Sequence, residues 1–199
     1  MTKVLSFLVV LAAALGALHL NSVVRGDPST LQSILDNDGI HAYFPGQPGY
    51  SNVSSSFNLR LPFEPAAVAY PTTAEEVAEA VQAGASLGIP GKHSCLCYSC
   101  CLVVNAKITV TARSGGHSYA AYGLGGADGH LVVDLSNFND ISVDSVTGIA
   151  TIGAGSRLGD IAIALFNQAG RALPHGTCPL VGIGGHASYG GCVFSFRTR

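Results

Sequence analysis

Charged residues are scarce in this sequence, and the two signs nearly cancel. They make up 11 % of the 199 residues, with a formal net charge of −2. A nucleic-acid-binding domain carries a basic patch or stripe, which this chain lacks, so nucleic acid is not an expected partner. Apolar residues reach 48 %, which is typical of a globular protein and excludes a disordered one. The length suffices for one ordinary domain with its own core.

The sequence also lacks an apolar run of the usual length for a membrane span. The run near the N-terminus, Val4–Leu20, holds about 17 residues, whereas a spanning helix needs about 20. Lys3 precedes this run, and Gly16 and Gly26 offer cleavage sites. We therefore interpret residues 1–26 as a signal peptide that is removed, rather than as a membrane anchor. The expected protein is secreted and extracellular.

A glycosylation acceptor is consistent with export. Asn52 begins the triplet Asn-Val-Ser, which is the acceptor pattern of secreted glycoproteins.

Neither an internal repeat nor a complete nicotinamide-cofactor fingerprint is present. Residues 153–159 have the sequence GAGSRLG, follow a predicted strand and open a predicted helix. A dinucleotide-binding unit also needs an acidic residue about 20 positions further on, and residues 171–179 supply none. We interpret the glycines as a tight turn between a strand and a helix.

Two segments have clear helical patterns. Thr73 and Glu76 form a capping box before an apolar face, and Pro90 lies past the end of that pattern. The second helix begins at Ser156 and is closed by Gly170. The buried face of the first helix is expected to consist of Val77, Ala80, Val81 and Gly84. The apolar stripe of the second is expected to consist of Leu158, Ile161, Ala162, Leu165 and Phe166.

Short apolar segments predict the strands. They occupy residues 66–70, 108–112 and 131–135, and residues 141–143 and 149–152 are expected to form a hairpin. The order strand, helix, strand, strand, hairpin, helix predicts an α+β fold.

The predicted domain is flanked by irregular segments. Residues 27–65 are rich in Pro, Gly, Ser and Asn and are expected to form an extended N-terminal arm with one short helix near residues 29–36. Residues 66–199 are assigned to the domain itself. Within it, residues 174–191 are predicted to be a glycine-dense loop region.

A pair of glycines and a histidine follow the predicted strand 108–112. Paired glycines expose consecutive backbone N–H groups, which can cradle a phosphate or pyrophosphate. An arginine before them adds charge-assisted hydrogen bonds, and a histidine held there can face a flat ring system. Taken alone, the pattern fits a tight turn with a surface histidine equally well. The segment consists of Arg113, Ser114, Gly115, Gly116, His117, Ser118 and Tyr119.

A second glycine-rich segment surrounds a cysteine. It consists of Pro174, His175, Gly176, Thr177, Cys178, Pro179, Leu180, Val181, Gly182, Ile183, Gly184, Gly185 and His186. Together the two segments resemble the PCMH-type FAD-binding domain of the vanillyl-alcohol-oxidase class, and within it the berberine-bridge-enzyme-like and glucooligosaccharide oxidases of fungi. Those proteins carry Arg-Ser-Gly-Gly-His-Ser after a strand, which is matched here without change. The resemblance covers most of residues 27–90 and 110–191.

The resemblance implies a cofactor and the way in which it is held. In the family, the histidine bonds to the 8α carbon of the flavin and the cysteine bonds to carbon 6. The cofactor expected here is therefore FAD with covalent bonds from His117 and Cys178. The other residues that the resemblance places at the cofactor are Arg113, Ser114, Gly115, Gly116, Ser118, Tyr119, His175, Gly176, Thr177, Val181, Gly182, Gly184, Gly185 and His186.

Structural roles are the alternative for some of these side chains. A buried structural cysteine is common, and this is the alternative for Cys178. A histidine whose ring is satisfied by the protein is the alternative for His175 and His186.

The activity that the resemblance implies is that of an FAD-dependent oxidase. Its substrates would be the CH–OH groups of a carbohydrate or another alcohol, as a small molecule or an oligosaccharide, with O2 as the electron acceptor. A base takes the hydroxyl proton, a hydride passes to flavin N5, and O2 reoxidises the flavin with formation of hydrogen peroxide. In the sugar oxidases the base comes from a C-terminal part that this sequence does not contain, so no catalytic residue is named.

Four cysteines and a histidine form a dense cluster outside the resemblance. His93, Cys95, Cys97, Cys100 and Cys101 could form a metal or disulfide site.

We interpret residues 91–109, which contain this cluster, as a retained intron instead. Gly91-Lys92 can be encoded with the splice donor GTAAG and Thr109-Val110 with the acceptor CAG, and removal of the stretch restores one valine codon in frame. Residues 192–199 also depart from the family pattern, and we expect an aberrant C-terminus of a truncated chain. The alternatives to an oxidase are therefore a non-catalytic fragment of one, or a secreted Cys/His metal-binding module.

Overall fold

The computed structural model describes residues 28–87 and 110–189. The predictions for the signal peptide at 1–26, the suspected intron at 91–109 and the C-terminus at 192–199 lie outside the described residues. They stay predictions.

Short helices and strands alternate along the described chain. The helices are α1 (Pro28–Asn37), α2 (Tyr50–Val53), α3 (Ala74–Leu87), α4 (Leu158–Ala169) and α5 (Ile183–Ser188), with a 3₁₀ turn at Tyr122–Leu124. The strands are β1 (Ala42–Tyr43), β2 (Ala67–Ala69), β3 (Val110–Arg113), β4 (Leu131–Asp134), β5 (Ile141–Val143) and β6 (Ala150–Ile152).

The first four strands form one sheet in the order β1-β2-β4-β3. β4 runs parallel to both of its neighbours, with Leu131 opposite Ala67 on one side and Val110 on the other, whereas β1 is antiparallel to β2. Because the carboxyl ends of parallel strands meet at one edge, Arg113 and Asp134 are brought opposite each other there. The predicted mixture of helices and strands is confirmed.

Successive side chains along a strand point to opposite faces of the sheet, and each face of the central sheet is covered by a core. Ala67 and Ala69 of β2, with Leu131 and Val133 of β4, face a core shared with α1 and α3. The intervening residues face a second, smaller core, which consists of Val68, Val132 and Leu124.

A separate hairpin carries the third core. β5 pairs antiparallel with β6 around the turn that begins at Asp144, as predicted. The buried side of α4 packs on this hairpin through Leu158, Ile161 and Leu165. Gly170 ends α4 in a left-handed conformation with φ +62°, which also agrees with the prediction.

Two side chains assigned to helical apolar faces are exposed instead. Val81 of α3 is 42 % exposed, and Ala83 is buried in its place beside Ala80. Phe166 of α4 is 71 % exposed, because the narrow hairpin covers only one line of residues on that helix. Apolar periodicity alone could not show how wide the facing surface is.

The segment at 27–65, predicted to be an extended arm with one short helix, also contains α2 and the strand β1, which pairs with β2 in the sheet. Its apolar side chains are buried in the core because they pack against the sheet and α3: Leu31, Leu35, Ile40 and Phe44.

Local structure differs from prediction at two further points. The predicted capping box is extended by one residue: Thr73 Oγ1 accepts the Glu76 N–H at 3.1 Å, and the Glu76 carboxylate interacts with the backbone N–H groups of both Thr72 and Thr73, which lower its pKa. The region predicted to be a loop at 174–191 contains α5, which is too short to show a helical repeat.

Candidate functional site

A cavity of about 580 Å³ opens at the edge of the sheet where β3 and β4 end. Its wall is formed by parts of the arm at 52–57, by residues 113–117 after β3, and by Arg157 and Leu180 from the region of α4. The volume lies within the range usual for small-molecule sites. The cavity therefore brings segments that are far apart in sequence to one place.

Arg113, the last residue of β3, is nearly buried in this wall. Its Nε forms an ion pair with the Asp134 carboxylate, and its terminal nitrogens donate to Val53 O at 2.6 Å and Tyr70 Oη at 3.2 Å. The guanidinium thus fastens the arm to the edge of the sheet. Its predicted contact with a pyrophosphate stays a prediction.

The backbone after Arg113 presents unpaired donors. The N–H groups of Gly115, Gly116 and His117 donate to no protein atom in the described part of the chain. Gly116 adopts φ +67°, a left-handed conformation that glycine tolerates. Left-handed residues of this kind are common in backbone turns that bind anions. Unpaired N–H groups beside the Arg157 guanidinium fit a phosphate or pyrophosphate group.

His117 lies in the cavity wall with its ring stacked on Phe57. The ring centroids are 4.1 Å apart with an interplanar angle of 27°, and Tyr119 meets Phe57 edge-on at 5.4 Å. Burial lowers the pKa of the His117 imidazole, and the positive charge of Arg157 lowers it further. A neutral imidazole is favoured at neutral pH, and it keeps a nitrogen lone pair available for bonding.

The second segment forms a turn against the start of α4. The Val181 N–H donates to Cys178 O at 3.4 Å, and the Leu158 N–H donates to Val181 O at 3.0 Å. Cys178 carries an exposed free thiol. The cysteine is thus available for chemistry rather than buried in a core, although it is Leu180, two residues on, that lines the cavity.

The two segments touch through their backbones. A Cβ atom at Gly115 would overlap the backbone nitrogen of Gly182, and one at Gly182 would overlap that of Gly115. Ser114 adds a side-chain link, because its Oγ donates to Ala154 O at 2.5 Å and accepts the Gly184 N–H at 3.2 Å. These contacts require glycine at the two crossing positions.

Arg157 joins the same place, and sequence patterns did not indicate it. It occupies the N-cap position of α4 without a capping bond from its side chain, and one of its terminal nitrogens donates to Gly115 O at 2.6 Å and Leu180 O at 2.7 Å. The glycines around it suggested a turn between a strand and a helix that could lie near the FAD, but gave no role to the arginine. Its contacts depend on tertiary packing, for which no local pattern exists.

The other predicted cofactor residues have different surroundings, and their contact with a cofactor stays a prediction. Ser118 O accepts the Ala121 N–H, and Tyr119 O accepts a hydrogen bond from Asn58 at 2.8 Å. The Val181 side chain packs on the core of α4 and the hairpin. A Cβ at Gly185 would meet open space.

The two histidines of the second segment interact within it. His175 Nδ1 lies 2.6 Å from Gly176 O, and His186 Nε2 accepts the Gly176 N–H at 3.4 Å. Both rings therefore have partners within the protein, as their structural alternative requires. Thr177 is exposed.

Two other kinds of site are not found among residues 28–87 and 110–189. No group of three or more His, Cys, Asp or Glu there is arranged to hold a metal ion. No helix in these ranges is long and apolar enough to cross a membrane. The cysteine cluster at 95–101 lies outside them.

Comparison with known proteins gives one family match and many related oxidases. Residues 89–196, more than half of the chain, match the family described as FAD binding domain. The chain is 37 % identical over 187 residues to the glucooligosaccharide oxidase of Sarocladium strictum. This alignment covers 92 % of the chain and 34 % of the relative. It is 44 % identical over 146 residues to the xylooligosaccharide oxidase of Thermothelomyces thermophilus, with coverages of 73 % and 26 %.

Solved structures share the fold. The crystal structure of the glucooligosaccharide oxidase of Acremonium strictum has a TM-score of 0.66 at 38 % identity, over 79 % of this chain and 29 % of that one. BBE-like 1 of Physcomitrella patens has a TM-score of 0.68 at 37 % identity, over 79 % and 30 %. A further structure of the Acremonium enzyme concerns its 6-S-cysteinyl, 8α-N1-histidyl FAD. The chain spans about a third or less of the length of the curated relatives named above.

Proposed function

Because the chain belongs to the FAD-binding-domain family, we propose that it holds FAD by two covalent bonds, from His117 and Cys178, as part of an oxidase. The observation that carries the proposal is the meeting of the two predicted attachment segments at one cavity. The bicovalent FAD described for the Acremonium glucooligosaccharide oxidase uses the same two residue types.

The residues at the cavity, and Cys178 two residues from its wall, suit different parts of this cofactor. The unpaired N–H groups of Gly115 and Gly116 would receive the pyrophosphate, with Arg157 near to offset its charge. The neutral imidazole of His117 would bond through a ring nitrogen, and the exposed thiol of Cys178 through its sulfur. FAD, when bound, supplies the acceptance of a hydride and its transfer to O2.

The proposed substrate class is an oligosaccharide or another alcohol with an oxidisable CH–OH group. The support comes from relatives named for xylooligosaccharide, glucooligosaccharide and chitooligosaccharide oxidation. The described residues at the cavity offer no group that we assign as the base for the hydroxyl proton. Catalysis is therefore proposed for the whole oxidase, and cofactor attachment for this chain.

Export and glycosylation belong to the same proposal. Asn52 lies on α2 and is exposed, as an acceptor for a glycan must be, and it also belongs to the cavity wall. The proposed protein is a secreted glycoprotein released after cleavage near residue 26.

The decisive experiment is the mass of the peptides that contain His117 and Cys178. The full chain is expressed with FAD, denatured, digested and analysed, and each peptide is expected to carry the mass of a flavin. His117→Ala should leave flavin only on the cysteine peptide, and Cys178→Ala only on the histidine peptide. Unmodified peptides in a folded chain would contradict covalent attachment.

A second candidate is a chain that binds flavin without turnover. The observation that favours it is that none of the described residues lining the cavity is assigned as the base for the hydroxyl proton. Purified protein would then stay yellow after acid treatment but consume no O2 with xylobiose or cellobiose. Oxygen consumption with either sugar would contradict this candidate.

A further inference from the structure

The side chain of Arg157 contacts both attachment segments at once. A single terminal nitrogen donates to Gly115 O at 2.6 Å and to Leu180 O at 2.7 Å. Gly115 lies two residues before His117, and Leu180 lies two residues after Cys178. Since two residues of extended chain span only about 7 Å, both attachment residues are held close to this nitrogen.

The backbone around Arg157 holds the cysteine segment as well. The first turn of α4 binds the carbonyl groups of residues 179–181, with the Gly159 and Leu158 N–H groups donating to the first and third at 2.9 and 3.0 Å. The Arg157 side chain binds the second of them, and its backbone pairs with Gly182 in an isolated β-bridge. The cysteine segment is thus docked on α4, and Arg157 extends that docking to the histidine segment.

The other links between the two segments lie further along the second one. Ser114 Oγ accepts the N–H of Gly184, and Gly115 packs on Gly182. Both contacts fall after the turn at 178–181, so they restrain the cysteine less directly than the bond to Leu180 does.

We propose that Arg157 is the positioning residue that holds the His117 loop and the Cys178 turn at the separation required for both to bond to one flavin ring. The inference rests on the proposed function and adds to it a residue that contacts neither bond. Loss of Arg157 should make attachment at both residues of one chain less frequent. Each segment keeps its other contacts with the protein, but the hydrogen bonds that hold the two segments at a fixed separation are lost.

The charge of Arg157 gives a second, separable effect. It disfavours the imidazolium form of His117, so its removal should raise the pKa of that imidazole toward the ordinary value for histidine. A lysine at this position keeps the charge and has a shorter reach without the planar fork. Charge and bridging can therefore be tested apart.

The first test measures flavin on the His117 and Cys178 peptides of the full chain. The variants are Arg157→Gln, Arg157→Lys and the matched control Arg171→Gln, which removes an exposed arginine outside the cavity wall. We expect the doubly attached fraction to fall about ten-fold in Arg157→Gln, since two charge-assisted hydrogen bonds are lost, and to be unchanged in the control. Equal double attachment in Arg157→Gln and the unchanged chain would overturn the inference.

The second test needs no flavin. A His117→Cys variant is treated with a short bifunctional thiol reagent, and the yield of the link between positions 117 and 178 is read from peptide masses. Arg157→Gln should lower this yield several-fold relative to Arg171→Gln. An unchanged yield would overturn the inference whether or not the chain binds FAD.

The third measurement separates the effect of the Arg157 charge on His117 from a purely structural role of the Arg157 side chain. The His117 imidazole is titrated by NMR in the full chain prepared without FAD, so that the ring is free to bind a proton, with His117→Ala used for assignment. Its pKa should rise in Arg157→Gln and stay low in Arg157→Lys. A pKa that is the same in all three proteins would refute the charge effect.

Absence of flavin from the unchanged chain, together with the expected cross-linking and titration results, would contradict the proposed function while leaving the role of Arg157 in place.

Discussion

Arg113 illustrates how a residue recognised from a motif can have more than one role. The resemblance placed it at the pyrophosphate of the cofactor, and the structure places it in the cavity wall. Its donors are directed to Asp134, Val53 O and Tyr70 Oη, which belong to the sheet and the arm. The Asp134 carboxylate is held from the other side by the Ser136 N–H at 2.9 Å. The ion pair thus stabilises the edge of the sheet where the site lies.

Substitution of Arg113 should destabilise the fold. Arg113→Ala leaves the Asp134 carboxylate buried without its charged partner, and the free energy of unfolding should fall by about 3 kcal/mol. The measurement is the urea midpoint of the full chain, and Arg60→Ala, which removes an exposed arginine, is the control. The double variant Arg113→Ala/Asp134→Ala should recover part of the loss. A midpoint that matches the control would show that the pair contributes nothing.

At the scale of the elements, the site is formed by the junction between two loops. The histidine loop and the cysteine segment cross with Gly115 against Gly182, and neither position has room for a Cβ atom. Such close approach is a main reason for glycine in a loop that packs on another backbone. The sequence shows these glycines but not which of them cross.

Three alanine variants test this crossing. Gly115→Ala and Gly182→Ala should each force the segments apart and lower the free energy of unfolding by about 1–3 kcal/mol through overpacking. Gly185→Ala is the matched control, since a Cβ there meets nothing within 4 Å and alanine favours the helix α5. The measurement is thermal and urea unfolding of each variant. Destabilisation by Gly185→Ala equal to that by the other two would argue against the crossing as the cause.

For the whole molecule, the site depends on how two units are joined. The sheet with α1 and α3 supplies Arg113 to His117 through β3, and the hairpin with α4 supplies Arg157 and docks the cysteine segment. Neither unit contains both proposed attachment residues. Assembly of the domain therefore creates the cavity.

Free flavins should distinguish the parts of this cavity. In the variant His117→Ala/Cys178→Ala, which cannot form the covalent bonds, FAD at about a hundred times its Kd should stabilise the chain by about 2.7 kcal/mol. Riboflavin at the same concentration should stabilise it less, because it lacks the pyrophosphate that the unpaired N–H groups would bind. Thermal unfolding measures both shifts. Equal shifts would contradict the assignment of the Gly115–His117 backbone to the pyrophosphate.

Much of the fold could be predicted because its signals are local. The apolar strands, the glycine that ends α4 and the turn at Asp144 each follow from a few neighbouring residues, and the structure has them nearly where expected. Val81 and Phe166 were misplaced because the width of a buried face is set by the element that covers it. α5 was missed because six residues are too few for a helical repeat to be visible.

The sequence by itself determined the chemistry that the chain can offer: a histidine after paired glycines, and a cysteine in a second glycine-rich segment. Only the tertiary structure decided that the two segments cross at Gly115 and Gly182, that Arg157 bridges them, and that Arg113 turns inward to Asp134. The physical reason is the separation along the chain of the residues that interact. Turns, caps and strands depend on neighbours along the chain, whereas hydrogen bonds such as that from Arg157 to Gly115 join residues whose proximity exists only after the sheet and the hairpin unit have packed together.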